Sequence, residues 1–534
     1  MKKLPVGIST FSKLIKNGYI YVDKTKYLYK MINYGELYFL SRPRRFGKSL
    51  IVSTLEELFK GNKDLFKGLY IYDKWNFEDT YPVIRLDFGD ISHGNPQLLE
   101  ESLNDFINLR ARDFSIEIIS KNLTTKFAEL IEQIYIITGK KVVILIDEYD
   151  KAINKHFDDI ELALKNRDLL QGFYQALKSN DKYLRFVFIT GISKFAKTSI
   201  FSDLNQFKDI TIHPEYSKIC GYSDEDIKFY FRDYITKLIE SYDITEDYLL
   251  DSLKKCYNGY SWDGKNFLSN PFSILNFFDT GKLANYWADS GTPKLLVDIL
   301  KNTDVDLDIL VTKKSEFVGS FPNCELENMD FATLLLQTGY FTIKTEESQD
   351  IKASHFTTGI PNKEVEESLF TYILDSYAQR SPEFIEYSAL KINGCILTLD
   401  EKNLEENFEI LLENASNILK GDIKHLIESF FKLLILSWLQ FSGFDTEGEV
   451  VTYIDRFNAL LRVKNFFLII EFKFSETESY VAMLEEAENQ IIENKYYKPY
   501  KDKNLICLAI AIKPIEVKCR FKSFQKVLKQ SKNS

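Results

Sequence analysis

Ser41-Arg42-Pro43-Arg44-Arg45-Phe46-Gly47-Lys48-Ser49 follows the short apolar run Tyr38-Phe39-Leu40 and opens an apolar, helix-length stretch, Ser49–Phe59. A strand that enters a loop ending at a helix start offers converging backbone N–H groups, a helix N-terminus and a cation. Those are the features a phosphate needs. Gly47 permits close approach of the backbone, Lys48 can reach terminal phosphates, and the Ser49 hydroxyl can ligate Mg²⁺. Arg42 stands where the usual phosphate-loop pattern has a glycine.

A second segment completes the chemistry. Val142-Val143-Ile144-Leu145-Ile146 reads as a buried strand ending in Asp147-Glu148. An aspartate at the carboxyl end of such a strand can hold Mg²⁺, and the following glutamate can polarise an attacking water. Asp147 is therefore the candidate metal ligand beside Ser49, and Glu148 the candidate catalytic base. A third strand, Leu184–Thr190, ends at Thr190-Gly191, where a polar side chain either senses a terminal phosphate or simply closes a turn. Arg44 and Arg45 can contact phosphate, act on a neighbouring subunit of a homo-oligomer, or lie solvated on the loop.

Around these motifs, strands Tyr38–Leu40, Val83–Phe88, Val142–Ile146 and Phe186–Thr190 alternate with helical stretches Leu99–Arg110, Thr125–Ile137 and Asp168–Lys178, the pattern of a parallel α/β sheet. The expected division is residues 1–215 for this domain, a mainly helical region over 216–420, and a small α/β domain over 421–534. In the middle region Asp224–Ser241 reads as one helix capped by Ser223. Tyr340–Lys344 and Lys352–Phe356 read as a strand pair about a polar turn. The last region reads as αβββαβ: helix Ile423–Trp438, strands near Glu449–Tyr453, Ala459–Val463 and Phe466–Phe472, helix Glu476–Glu493 and strand Leu505–Ile512.

A chain of 534 residues with 45% hydrophobic and 27% charged residues is ordinary for a multidomain globular protein. The net charge of -10 argues against a chain coated in nucleic acid, while leaving room for a local basic groove. The six cysteines form no CxxC pair and the five histidines are dispersed, so neither a disulfide frame nor a zinc site is expected. Met1-Lys2-Lys3 leads into no apolar leader, and runs such as Val142–Ile146 are too short to span a bilayer. These features predict a soluble cytoplasmic protein with no membrane partner.

Tyr21-Val22-Asp23-Lys24-Thr25, the loop Ser41–Ser49 and Leu145-Ile146-Asp147-Glu148-Tyr149-Asp150 closely resemble the predicted AAA-ATPase-like family, whose members often carry a C-terminal PD-(D/E)XK nuclease domain. Tyr257-Asn258-Gly259-Tyr260 and Asn270-Pro271-Phe272-Ser273 also look like signature segments of that family. The resemblance implies a P-loop NTPase parallel sheet, ATP and Mg²⁺ as ligands, and DNA or RNA as the target of the last domain. The expected ATP-binding residues are Arg44, Arg45, Phe46, Gly47, Lys48, Ser49 and Thr190. Arg42 is the usual residue of the family at its position.

In the C-terminal region Glu471-Phe472-Lys473 ends the apolar run Phe466–Ile470. Glu471 and Lys473 are two apart and share one face of a strand. A carboxylate beside a lysine can hold Mg²⁺ and orient a water for phosphodiester cleavage, which makes both candidate catalytic residues. The resemblance adds Gln490 with Tyr496-Tyr497, and Glu428 on the preceding helix. It expects a metal-binding aspartate on the preceding hairpin, where Asp455-Arg456-Phe457-Asn458 stands instead. Asn458 binds a hard cation more weakly than a carboxylate, and Asp455 or Glu449 could replace it only by a shift of register. The reading is thus an ATP-controlled nuclease-like protein or, alternatively, an ATP-regulated scaffold whose nuclease fold does not cleave. Lys513, Lys518, Arg520, Lys522, Lys526, Lys529 and Lys532, with Phe521 and Phe524, read as a solvated basic helix or as a nucleic-acid contact.

Overall fold

A computed structural model describes the chain except at residues 157–158, 195–206, 288–308, 311–313, 320–329, 348–353, 379–381, 416–434, 437, 440–444, 452–455, 464, 476, 494–503, 514–515 and 525–534. The chain divides into two compact units, Met1–Leu295 with Ser315–Val365, and Leu296–Lys314 with Glu366–Ser534.

The first unit is built on a parallel sheet of β1 (Leu37–Ser41), β2 (Val83–Asp87), β3 (Val142–Asp147), β4 (Leu184–Gly191) and β5 (Lys208–Asp209), in the order β2-β3-β4-β1-β5. Every residue of β3 is buried, as expected where both faces of a parallel sheet are covered. One face carries α1 (Lys48–Phe59), which buries Val52, Leu55, Leu58 and Phe59. The apolar stripes of α2 (Pro96–Asp113), α3 (Leu123–Thr138) and α4 (Ile160–Ser179) share a core with β2, β3 and β4. Local chemistry starts each of these three helices. Asn95, with Pro96 behind it, Asn122 and Asp159 each accept a backbone N–H of the first turn. Parallel register brings Asp87 and Asp147 side by side at the carboxyl edge.

In the rest of the unit one expected helix is broken. Asp224–Ser241 is not one helix: helices span Asp224–Tyr230 and Arg232–Tyr242. Phe231, at φ -109° and ψ 18°, breaks the helical path and stacks on Phe278. The Ser223 cap holds as a reciprocal pair with Asp226. The helical middle also carries a three-stranded sheet, β6 (Lys314–Val318), β7 (Thr342–Glu347) and β8 (His355–Gly359), in the order β6-β8-β7.

The second unit holds a mixed sheet of β9 (Asp445–Val451), β10 (Arg456–Val463), β11 (Phe466–Phe474), β12 (Leu505–Lys513) and β13 (Glu516–Ser523), ordered β13-β12-β11-β10-β9. Only β11 and β12 pair in parallel. Their crossover includes α6 (Tyr480–Glu493), whose Met483, Leu484 and Ala487 pack on Ala509 and Ala511. Most of the helix expected at Ile423–Trp438 lies outside the described residues.

The basic tail corrects its reading. Residues Glu516–Ser523 form an edge strand, not a helix, and their cations are paired: Lys518 with Glu405 and Glu409, Arg520 and Lys522 with buried Glu488. Lys526, Lys529 and Lys532 lie outside the described residues. Along this edge runs α5 (Glu401–Ala415). Glu409, Glu405 and Glu401 accept the backbone N–H groups of Val517, Cys519 and Phe521 at 3.1, 2.8 and 2.6 Å. Four helical residues rise about 6 Å and two strand residues about 6.7 Å, so carboxylates spaced four apart keep step with alternate N–H groups of the edge. Glu405→Ala should lower the stability of the second unit by about 1–3 kcal/mol, read from urea unfolding. Glu405→Gln, which keeps an acceptor oxygen, should cost less.

Candidate functional site

The loop between β1 and α1 is shaped by backbone geometry first. Arg45 has φ 68° and Gly47 φ 94°, and the second of these left-handed turns falls where a glycine adopts it without penalty. Lys48 is the first residue of α1 and is buried. Its Nζ donates to the carbonyls of Arg42 and Pro43 at 2.9 and 3.0 Å, so the ammonium lies within the ring of its own loop. Burial pulls its pKa below the ordinary lysine value, against the pull of nearby Asp147 and Asp150.

Asp147 is fully buried at the end of β3. Its Oδ1 accepts from Glu148 N, and Oδ2 has no hydrogen-bond partner among the described residues. Burial raises its carboxyl to about 6; the Ser49 hydroxyl beside it opposes that rise, Asp87 adds to it, Lys48 opposes it and Glu148 adds to it. An under-coordinated buried carboxylate oxygen next to a hydroxyl is the donor set a hard divalent cation prefers. Glu148 stands at φ 52° and its carboxylate meets Lys151 Nζ at 2.7 Å. Burial would raise its pKa, but the Lys151 contact together with the nearby charges of Lys48 and Arg44 outweighs burial, and the net shift is downward.

Gly47, Lys48, Ser49, Arg44, Arg45, Phe46 and Glu148 all line one cavity of about 560 Å³, within the size range of small-molecule sites. Thr190 is not among its lining residues; its hydroxyl donates to Leu40 O at 2.9 Å and ties β4 to β1. Four residues that sequence reasoning passed over belong here. Asp150 lines the cavity and accepts from Ile192 N, Ser193 N and the Ser193 hydroxyl. Lys151 lines it and holds Glu148, while Lys24 lines it and pairs with Asp226 at 2.7 Å. Asp87 stands in register with Asp147, and its carboxyl is raised by burial. Its signal was in the sequence: a second strand, Val83–Asp87, that also ends in a carboxylate.

Arg42 accounts for the missing glycine. Its fully buried guanidinium donates to Ser41 O and Thr211 O at 2.8 and 2.6 Å and lies over the Trp262 ring at 4.0 Å. Burial lowers its pKa to about 10, so it stays charged at neutral pH. The side chain points into protein, away from the cavity lining. Phe46 packs edge-on against Tyr260 and Trp262 at 4.8 and 5.2 Å.

In the second unit, Glu471 is buried on β11 opposite Ala509, and Lys473 stands opposite Ala511. Lys473 Nζ contacts Glu486 of α6 at 2.7 Å. Asn458 is the β10 residue just before Ala459, which pairs with Ile470, so Asn458 and Glu471 occupy neighbouring register positions. Glu449 lies on β9, and Gln490 on α6 is half-buried. Glu428, Asp455 and Tyr496-Tyr497 lie outside the described residues. Among the described residues no group of three or more His, Cys, Asp or Glu side chains is placed to hold a metal.

Residues 5–201 match a family described as Predicted AAA-ATPase, and residues 426–522 match the PD-(D/E)XK nuclease superfamily. The chain is also 32% identical, over 500 residues, to a protein of Azotobacter chroococcum mcd 1 described as an uncharacterized protein in the vnfD 5' region. That alignment covers 93% of this chain and 94% of the relative. The chain belongs to the predicted AAA-ATPase family with a C-terminal PD-(D/E)XK nuclease-like domain.

For this AAA-ATPase-like chain two measurements follow from the geometry. Arg42→Gly restores the glycine of the general phosphate loop, yet it removes buried hydrogen bonds and the stacking on Trp262. It should destabilise the first unit by about 2–4 kcal/mol in urea unfolding. Asp147 holds its proton more tightly when folded, so it favours the fold below about pH 4 and opposes it as pH rises through about 6. In EDTA, Asp147→Asn should therefore raise the urea midpoint at pH 7.5 and leave it nearly unchanged at pH 4.

Proposed function

We propose that this is a cytoplasmic ATP-hydrolysing P-loop protein whose nucleotide state controls a C-terminal nuclease-like domain acting on DNA or RNA. The observation that carries the first half is the convergence of Lys48, Ser49 and Asp147 where a loop with left-handed turns meets a helix N-terminus. In this reading the loop amides and Lys48 hold the terminal phosphates, with Arg44 and Arg45 beside them. Ser49 and Asp147 are the oxygen donors for Mg²⁺, which supplies neutralisation of phosphate charge. Glu148, released from Lys151, takes up the proton side of the attacking water. Thr190 acts through its strand, holding β4 against β1, rather than by touching phosphate.

For the C-terminal half, support comes from Glu471 and Lys473 on one strand, the neighbouring Asn458 and the family match. Glu471 would hold the divalent cation, Lys473 would orient the water after leaving Glu486, and Asn458 would be the weak member of the set. No helix among the described residues is long and apolar enough to cross a membrane.

Calorimetry and phosphate release test the first half. Lys48→Ala should lose ATP affinity by about tenfold to a hundredfold. Glu148→Gln should keep binding and lose about 10²- to 10⁴-fold in hydrolysis. Equal ATP affinity for wild type and Lys48→Ala would sink the site assignment. For the second half, DNA or RNA is incubated with Mg²⁺ or Mn²⁺ and ATP. Cleavage that vanishes in Lys473→Ala supports a nuclease. No cleavage by wild type, with a gain in Asn458→Asp, points instead to a non-cleaving ATP-regulated scaffold.

A further inference from the structure

Within Tyr21-Val22-Asp23-Lys24-Thr25, Val22 and Lys24 line the cavity at the phosphate loop, whereas Asp23 and Thr25 serve a different surface. Asp23 Oδ1 accepts the N–H and the hydroxyl of Thr25 at 2.8 and 2.6 Å, and its Oδ2 accepts from Tyr70 N at 2.7 Å. The buried Thr25 hydroxyl accepts from Ile71 N at 3.3 Å, and the Ile71 side chain is itself fully buried. Residues 70 and 71 are thereby pinned to the start of the helix Thr25–Tyr34. The backbone is fixed beneath a ring, Tyr70, that stays 47% exposed.

Tyr70 is the centre of a surface built from rings and ammonium groups. Lys74 Nζ lies 4.6 Å from its ring centre, and Tyr29 of the helix meets it edge-on at 6.4 Å. Two residues on, Tyr72 carries Lys63 Nζ at 5.3 Å. Among the described residues neither Lys63 nor Lys74 forms an ion pair with a carboxylate. Residues 25–34 and 63–74 together hold five lysines, at 26, 30, 63, 67 and 74, against the two aspartates Asp64 and Asp73, in a chain of net charge -10. Lys30 is engaged by Glu215. A local excess of positive charge thus coincides with exposed aromatic rings on an acidic protein.

We propose that Tyr29, Tyr70 and Tyr72, with Lys63 and Lys74, form a binding surface for single-stranded nucleic acid on the first unit itself, held in shape by Asp23 and Thr25. Lysines alone would suit any polyanion, and rings alone any flat apolar partner. Interleaved, they match a single strand, which offers base faces for stacking and phosphates beside them, whereas a duplex keeps its base faces covered. An ammonium over an exposed ring is weakly held, so a base can take the ring while the displaced lysine turns to the adjoining phosphate. This surface shares no side chain with the cavity at the phosphate loop and does not depend on the nuclease-like domain.

The test is fluorescence anisotropy of the full chain with labelled oligo-dT and oligo-U of about 20 nucleotides, in EDTA and without ATP, so that neither cleavage nor the nucleotide site contributes. The two oligonucleotides distinguish DNA from RNA. Wild type should bind at least one of them, and more tightly than a duplex of the same length. Tyr70→Ala should weaken single-strand binding about fivefold to a hundredfold. Lys63→Glu combined with Lys74→Glu should weaken it and flatten its salt dependence, which keeps the test valid should Tyr70→Ala disturb the turn. Both variants should keep wild-type ATP affinity, so the outcome for the phosphate loop is read separately. No single-strand binding by wild type, equally tight binding of duplex, or binding unchanged in both variants overturns the assignment. Binding of a polyglutamate peptide in place of the oligonucleotides also overturns it and marks an acidic protein partner.

Discussion

A buried arginine fixes the phosphate loop. The Arg42 guanidinium is out of water, over the Trp262 ring, and bonded to backbone carbonyls of Ser41 and Thr211. A cation so placed keeps its charge only because carbonyl dipoles and an aromatic face replace its hydration. Once its side chain is committed inward, the loop must leave β1 in one direction, and the left-handed turns at Arg45 and Gly47 follow on the outer side. A glycine at position 42 would free the loop from this anchor. The departure from the general phosphate-loop pattern is thus a mechanical feature, in which shape comes from an interior anchor rather than from glycine flexibility.

The same anchor ties the loop to distant segments of the first unit. Phe46 packs on Tyr260 and Trp262, Arg45 on Phe272, and a Cβ on Gly339 would stand 2.7 Å from Pro43 Cβ. Gly339 has φ 94°, so close approach and backbone angle require glycine together. Four loop residues therefore rest on four separate stretches of chain. Any rearrangement of the loop must move or strain those stretches, which gives a physical path from the loop to the helical part of the unit.

The sequence was most readable where one segment carries its whole signal. β3 shows as an unbroken apolar run because both its faces are covered, and its terminal Asp-Glu shows because a buried strand rarely ends in two carboxylates without a use. What depends on distant partners was not readable. Nothing near Arg42 announces Trp262, and nothing within Asp224–Ser241 announces that Phe231 leaves the helix to stack on Phe278. The tail is a different kind of miss. Val517, Cys519 and Phe521 alternate strictly with Lys518, Arg520 and Lys522, the period of a strand, within a lysine-rich composition that suits a solvated helix equally well.

That alternation also decides what the cations of the C-terminal sheet do. On β13 the cationic side chains at 518, 520 and 522 lean to one face, and each meets a carboxylate: Glu405 and Glu409 on α5, Glu488 on α6. Glu488 is nearly inaccessible and is held by both Arg520 and Lys522, so removing both cations would leave its charge stranded in low dielectric. Cations held this way join helices to the sheet and are poorly placed to serve a nucleic-acid backbone, which needs positive charge that solvent and phosphate can reach. Lys473 is held more loosely, by Glu486 with more than half its side chain exposed. An exposed ion pair of this kind contributes little and is readily exchanged. Among Lys473, Lys518, Arg520 and Lys522, Lys473 is therefore the one whose carboxylate partner is most exposed, and it shares a strand face with buried Glu471.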